Sequence, residues 1–118
     1  MIRFVIIFIP ILLAAIAQII LKLGIGPTNT NSGLLDFFIK TLTSPLVLLG
    51  LLLYSLGAIL WLIVLSREDV SFAYPLVSFA YVLAIFLSAV FLKEQITSGR
   101  VLGALVIMAG IFIIARFG

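Results

Sequence analysis

Four apolar runs, at residues 4–23, 45–65, 70–92 and 101–114, alternate with short polar breaks along the 118-residue chain. A helix needs about 20 residues to cross roughly 30 Å of hydrocarbon, and the first three runs approach or exceed that length. The fourth reaches it once residues 97–100 and 115–118 are allowed to lie among the headgroups. Backbone N–H and C=O groups in lipid must be satisfied inside the segment, so the runs are expected to be helices. The pattern therefore predicts an all-α membrane protein. It forms one four-helix transmembrane domain over 1–118, with helices at about 4–24, 45–66, 70–92 and 97–116.

The breaks set the topology. Gly24, Ile25, Gly26 and Pro27 form a strong helix-breaking cluster, followed by the polar stretch 28–32. Residues 33–44 are too short to span. Asp36 and Lys40, four apart, share one helix face there. The segment reads either as an amphipathic turn at the membrane interface or as an extension of the second helix broken at Pro45, which suits a first helical position. Arg67, Glu68 and Asp69 make a tight polar turn, and 93–100 forms the last loop. Short loops between four spans put both termini on one side. The start of the chain, with Arg3, an apolar stretch and Ala15-Ile16-Ala17, imitates a signal peptide. The apolar run continues through Ile19, Ile20 and Leu21, which argues for a retained span. Arg3, Arg67 and Arg116 lie on the terminus side, against Lys22, Lys40, Lys93 and Arg100 on the other. So even a balance gives the positive-inside rule little to act on. Insertion in both orientations, a partner that fixes orientation, and a few decisive charges are all open readings.

Composition narrows the chemistry. Hydrophobic residues make up 65% and charged residues 9%, and the mean hydropathy is +1.49. The formal charge of +3 comes from basic residues at helix ends, which anchor spans and do not read as a nucleic-acid surface. The absence of Cys and His removes disulfides, thiol nucleophiles, imidazole acid–base chemistry and the usual transition-metal ligands. No enzyme activity, metal or cofactor is expected. The four acids, Asp36, Glu68, Asp69 and Glu94, all fall between the runs. A proton-coupled exporter of cations needs a membrane-embedded carboxylate, and none lies inside a span.

What polar and small residues remain are the candidates. Gly103 and Gly110 are seven apart, and Gly99 and Gly103 have GxxxG spacing, a pattern that lets helix backbones approach in lipid. For this fourth helix we expect a dimer interface. For Gly50 and Gly57, with the same seven-residue spacing, we expect packing inside the bundle. Gln18 and Lys22 stack on one face of the first helix and are candidate substrate-binding residues. Lys22 also suits simple anchoring, because its ammonium can reach the headgroups. The third helix carries Tyr74, Ser78 and Tyr81 at spacings of four and three, with Pro75 expected to bend it. With Tyr54 and Trp61 these side chains can line a polar–aromatic cavity. An aromatic belt at the interface is the alternative for Tyr74 and Trp61.

The run Ala73-Tyr74-Pro75-Leu76, then 92–97 (Leu-Lys-Glu-Gln-Ile-Thr), Gly103-Ala104 and Ala109-Gly110-Ile111 resembles the second half of an EamA-type unit of the drug/metabolite transporter superfamily. The length is that of its small multidrug resistance branch, and the resemblance implies a four-helix bundle of that kind. Exporters of that branch carry a Glu eight residues before the Lys matching Lys22, where this chain has Ala14. Their substrate-contacting Trp is replaced by Val77. The chain is more similar to the small paired subunits that flip aminoarabinose-linked undecaprenyl phosphate. They share Ala17-Gln18 followed by Lys22, the Trp61–Leu65 stretch and the Ala-Tyr-Pro element. That resemblance implies a flippase subunit for a polyprenyl-phosphate-linked sugar in a bacterial or archaeal cytoplasmic membrane. It would work as a homodimer, antiparallel or not, or as a heterodimer with a similar small subunit. Lys22 would meet the phosphate, with help from Arg100 or Lys93, and Gln18, Ser78 and Tyr81 would meet the sugar. Export of small drugs or metabolites, and a non-transporting role in assembling a membrane glycosyltransferase, are the alternatives.

Overall fold

A computed structural model describes residues 2–26 and 33–118; the polar stretch expected as a loop at 28–32 lies outside them. Six helices follow in order: α1 (Ile2–Ile25), α2 (Leu34–Thr43), α3 (Pro45–Arg67), α4 (Val70–Leu76), α5 (Phe79–Phe91) and α6 (Ser98–Phe117). Four helical segments are long and apolar enough to cross a membrane: α1, α3, α4 with α5, and α6. At 1.5 Å per residue α1 is about 36 Å long, enough to cross the hydrocarbon with a turn to spare.

The ends of these helices follow from local chemistry. α1 stops where Gly26 turns to a positive φ of 61° and its amide donates to the Lys22 carbonyl at 3.1 Å. Between α2 and α3, Ser44 is extended (φ −71°, ψ 128°), the conformation that a following proline imposes, and Pro45 starts α3. This decides the open question about residues 33–44. The segment is a helix of its own with no buried residue, closed by a Lys40–Asp36 ion pair of 3.2 Å. It packs on α3, while Leu34, Leu35, Phe38, Ile39 and Leu42 stay exposed, as suits a helix lying in an interface. The third span is broken and not merely bent. After Pro75, Val77 and Ser78 leave the α pattern, and short bonds run from the Ser78 amide to the Pro75 carbonyl and from the Tyr81 amide to the Ser78 carbonyl.

α1 is the centre of the bundle. Its longest contact is with α3, and the two approach closely because small residues face one another. A Cβ on Gly24 would lie 2.7 Å from the Val47 backbone nitrogen, and one on Gly50 would lie 2.8 Å from the Leu21 side chain. In lipid, where tails are as apolar as side chains, such backbone proximity is the main source of helix association. The other side of α1 contributes Ile7, Ile11 and Ala15 to a core with Val64, Phe72, Ala73, Leu76, Ala80 and Ile111. α6 touches only α4 and α5 extensively, and Ile111 is its one buried residue.

At the terminus end, Arg3 Nε donates to Glu68 Oε1 at 2.8 Å, and the Arg3 guanidinium lies 3.8 Å over the Phe72 ring. The start of α1 is thereby tied to the α3–α4 turn. At the opposite end, Ser44 Oγ donates to the Gly24 carbonyl at 3.3 Å, joining the α2–α3 corner to the end of α1.

Candidate functional site

Two concave sites flank α1 at different depths. The first, about 210 Å³, lies near mid-bundle between α1, α3 and α4. Pro10, Ile11, Ala14, Gly57 and Ala58 form its small-residue walls, with Val77 at the break in the third span. Tyr54, Trp61 and Tyr74 supply aromatic surface, and Trp61 meets Tyr74 edge to face with centroids 6.4 Å apart. No carboxylate lines this groove. Ala14 and Val77, the two positions where the chain departs from the small multidrug exporters, both face it. A discontinuous helix beside a mid-depth cavity is how many transporters build a site, since irregular backbone is tolerated only next to protein or water.

The second groove, about 300 Å³, opens at the end of the bundle away from the termini. Ile19 and Lys22 of α1, Ala84, Ile85 and Ser88 of α5, Leu92, Glu94 and Ile96 of the last loop and Arg100 of α6 line it. The loop is shaped by Lys93, which takes a left-handed φ of 55°, and by the Glu94 amide, which donates to the Ser88 carbonyl at 3.2 Å. α6 begins with Thr97 as its cap, the Thr97 hydroxyl oxygen accepting from the Arg100 amide at 3.2 Å. Arg100 Nη1 donates to the Gln95 carbonyl at 2.9 Å, so the cation is held at the rim.

One strip of α1 links the two sites. Ala14, Gln18 and Lys22 are successive turns apart; Ala14 lines the aromatic groove, Lys22 lines the basic one, and exposed Gln18 lies between them. The helix faces explain why. Leu13, Leu21 and Gly24 press on α3, while Ile7, Ile11 and Ala15 enter the core, which leaves this strip open.

The structure thus brings Tyr74 together with Tyr54 and Trp61, and Lys22 together with Arg100. Lys93 does not line the basic groove. Ser78 and Tyr81 do not join Tyr74 in the aromatic groove, because the break at Val77 and Ser78 ends the common helix face assumed from their spacing. The Ser78 hydroxyl donates to the Pro75 carbonyl at 2.6 Å, bridging the break. Tyr81 is 61% exposed, one turn before the Ala84, Ile85 and Ser88 face of α5. Gly103 and Gly110 face outward, and an added Cβ on either would meet nothing within 4 Å. Glu94 and Ser88 were missed by sequence reasoning. Glu94 reaches the groove through a backward turn at a non-glycine residue, for which local sequence gives no signal.

Comparison with known proteins fits this arrangement. Residues 1–116 match the EamA-like transporter family. The chain is 34% identical over 111 residues to the probable 4-amino-4-deoxy-L-arabinose-phosphoundecaprenol flippase subunit ArnF of Erwinia tasmaniensis, a match covering 88% of this chain and 87% of that protein. With ArnF of Photorhabdus laumondii the identity is 34%, covering 92% of each chain. With the corresponding probable flippase subunit ArnE of Pseudomonas savastanoi it is 32%, covering 89% of this chain and 90% of the relative. No solved structure matches the chain at a significant level. Four membrane-spanning helices with a broken third span, a family match along nearly the whole length and relatives of similar size lead to one conclusion: this chain is a multi-pass membrane protein of the EamA-like transporter family.

Proposed function

We propose that the chain is one subunit of a flippase that carries a polyprenyl-phosphate-linked sugar across the bacterial cytoplasmic membrane. The observation that carries this reading is the open strip of α1 joining a cationic groove at the bundle end to an aromatic groove at mid-depth. A lipid phosphate needs a cation near the headgroups, and Lys22 and Arg100 offer two; charge-assisted bonds to phosphate oxygens are about twice as strong as neutral ones. The sugar, moving inward, meets the Gln18 amide and then the Tyr54, Trp61 and Tyr74 surfaces. The polyprenyl tail stays in the bilayer, so the strip can remain open along its side.

The names of the relatives support the reading, and similarity to both ArnE-type and ArnF-type subunits suits one half of a pair. The second half is a second copy, antiparallel or not, or a similar small subunit docked on α6. The aromatic groove lacks the carboxylate that a proton-exchanging drug exporter uses, so export of cationic drugs has no observation in its favour.

The test is reconstitution in liposomes, with the paired subunit supplied in a parallel sample, using a labelled polyprenyl-phosphate sugar and a reagent confined to one leaflet. Lys22→Met should insert and assemble normally while flipping falls by about tenfold or more, and Lys22→Arg should restore part of it, keeping the charge with altered hydrogen-bond geometry. Gln18→Leu should slow flipping less. Wild-type rates in both Lys22→Met and Gln18→Leu would remove α1 from the mechanism.

A further inference from the structure

The basic groove contains one residue that a simple phosphate site should not have. Lys22 and Arg100 bring two positive charges to it, and Glu94 brings a negative one. A carboxylate facing the same small volume as a bound phosphate repels it, and the repulsion is strongest where water is partly excluded. An acid is tolerated in such a place when a neighbouring cation neutralises it. Here that does not happen. Among the described residues the ion pairs are Arg3–Glu68 and Lys40–Asp36, and Glu94 pairs with neither Lys22 nor Arg100. The stretch 27–32 carries no ionisable side chain that could serve instead. Arg100 is engaged with the Gln95 carbonyl, which keeps its guanidinium from folding onto Glu94. The loop meanwhile fixes Glu94 in place through its amide bond to Ser88 and the left-handed Lys93 before it.

We infer that this groove takes a zwitterionic headgroup, with an anionic phosphodiester on Lys22 and Arg100 and a primary ammonium on Glu94. The site's two positive charges and one negative charge then find opposite partners within a single ligand. A neutral sugar phosphate would leave Glu94 both unpaired and repelling. Two membrane components have this chemistry: a polyprenyl-phosphate-linked amino sugar and phosphatidylethanolamine. The inference deepens the flippase reading and rests on it for the first source.

The experiment measures binding and flipping by the full-length protein in lipid nanodiscs and liposomes. The probes are a polyprenyl-phosphate amino sugar, the same lipid with its amine N-acetylated, phosphatidylethanolamine, and N-acetyl phosphatidylethanolamine. Wild type should bind the free-amine sugar lipid about tenfold more tightly than its acetylated form, and more tightly than phosphatidylethanolamine. Glu94→Gln should erase that ratio by weakening the amine form alone, leaving the acetylated form unchanged or slightly improved. Equal wild-type affinity for amine and acetylated forms would overturn the inference, as would a Glu94→Gln variant that weakens both equally, which is what a merely structural role predicts. If no sugar lipid binds or flips, yet wild type prefers phosphatidylethanolamine over its acetylated form in a Glu94-dependent way, the flippase reading falls. The zwitterion site then stands, with a bilayer lipid as its occupant. If neither amine is preferred, the zwitterion site falls whatever the flipping rate.

Discussion

Gly50 and Gly57 on α3 and Gly103 and Gly110 on α6 have the same seven-residue spacing, and the fold uses them in opposite ways. The α3 pair is buried against α1, where Gly50 meets Leu21 and Gly57 sits 3.5 Å from the Leu13 side chain and the Pro10 carbonyl. The α6 pair faces out of the protomer with empty space around both. A small residue in a span means that something comes close. Only the arrangement of the other helices says whether that something belongs to the same chain. α3 is wrapped by α1 along its length, whereas α6 is packed on one side alone, through Ile107, Ile111 and Ile114.

Breaking the inner contact should have the largest effect. In Gly24→Ala the new Cβ would fall 2.7 Å from the Val47 backbone nitrogen, so main chain has to move; a loss of about 2–3 kcal/mol in unfolding from detergent is expected. Gly50→Ala should cost less, because the atoms it meets first are the branched end of Leu21. Equal, negligible losses at both positions would mean that α1 and α3 are not held by close approach.

On the outer face the expected result is reversed. Gly103→Leu and Gly110→Leu should leave the protomer's unfolding unchanged while weakening cross-linked dimer by about tenfold, roughly 1.4 kcal/mol. Should both variants dimerise like wild type, the outward glycines are not an interface and the comparison loses its second half.

Two smaller effects sharpen the same point. Gly57→Ala places its Cβ in ordinary contact at 3.5 Å and removes a helix-weakening glycine, so a gain of about 0.5 kcal/mol is expected in thermal unfolding. Lys93→Gly tests a position where conformation, and not space, asks for glycine. Its left-handed φ of 55° should make the variant slightly more stable, by roughly 0.5 kcal/mol, with flipping unaffected because Lys93 lies outside both grooves. A loss of stability at either site would show that packing outweighs these local terms.

Much of the fold was legible because lipid imposes it. Four runs of the right length become four spans, and breakers such as Gly26 and Pro45 end or start helices by backbone rules that need no neighbours. The break at Val77 and Ser78 was less legible: Pro75 predicts a distortion, but not whether the helix bends or stops. The candidate site divided along the same line. Lys22 and Gln18 could be singled out as rare polar groups on an apolar helix. Their surroundings could not, because Tyr54, Trp61, Ser88, Glu94 and Arg100 come from helices whose rotation about their own axes leaves no mark in a nearly uniform apolar sequence. Tyr81 and Ser78 show the cost of that. Spacing aligned them with Tyr74, and one interrupted turn separated them.

By itself, then, the sequence determined the number of spans, their ends, the absence of a carboxylate within them and the few polar side chains available to a substrate. Those properties depend on length, hydropathy and local backbone chemistry. The tertiary structure alone decided which glycines touch and which look outward, that Lys22 shares a groove with Arg100 and Glu94, and that Ala14 and Gln18 connect that groove to an aromatic one. These depend on which face each helix turns toward its neighbours. In a chain apolar on nearly every side, packing between helices sets that choice, because there is no contrast between an oily face and a wet one.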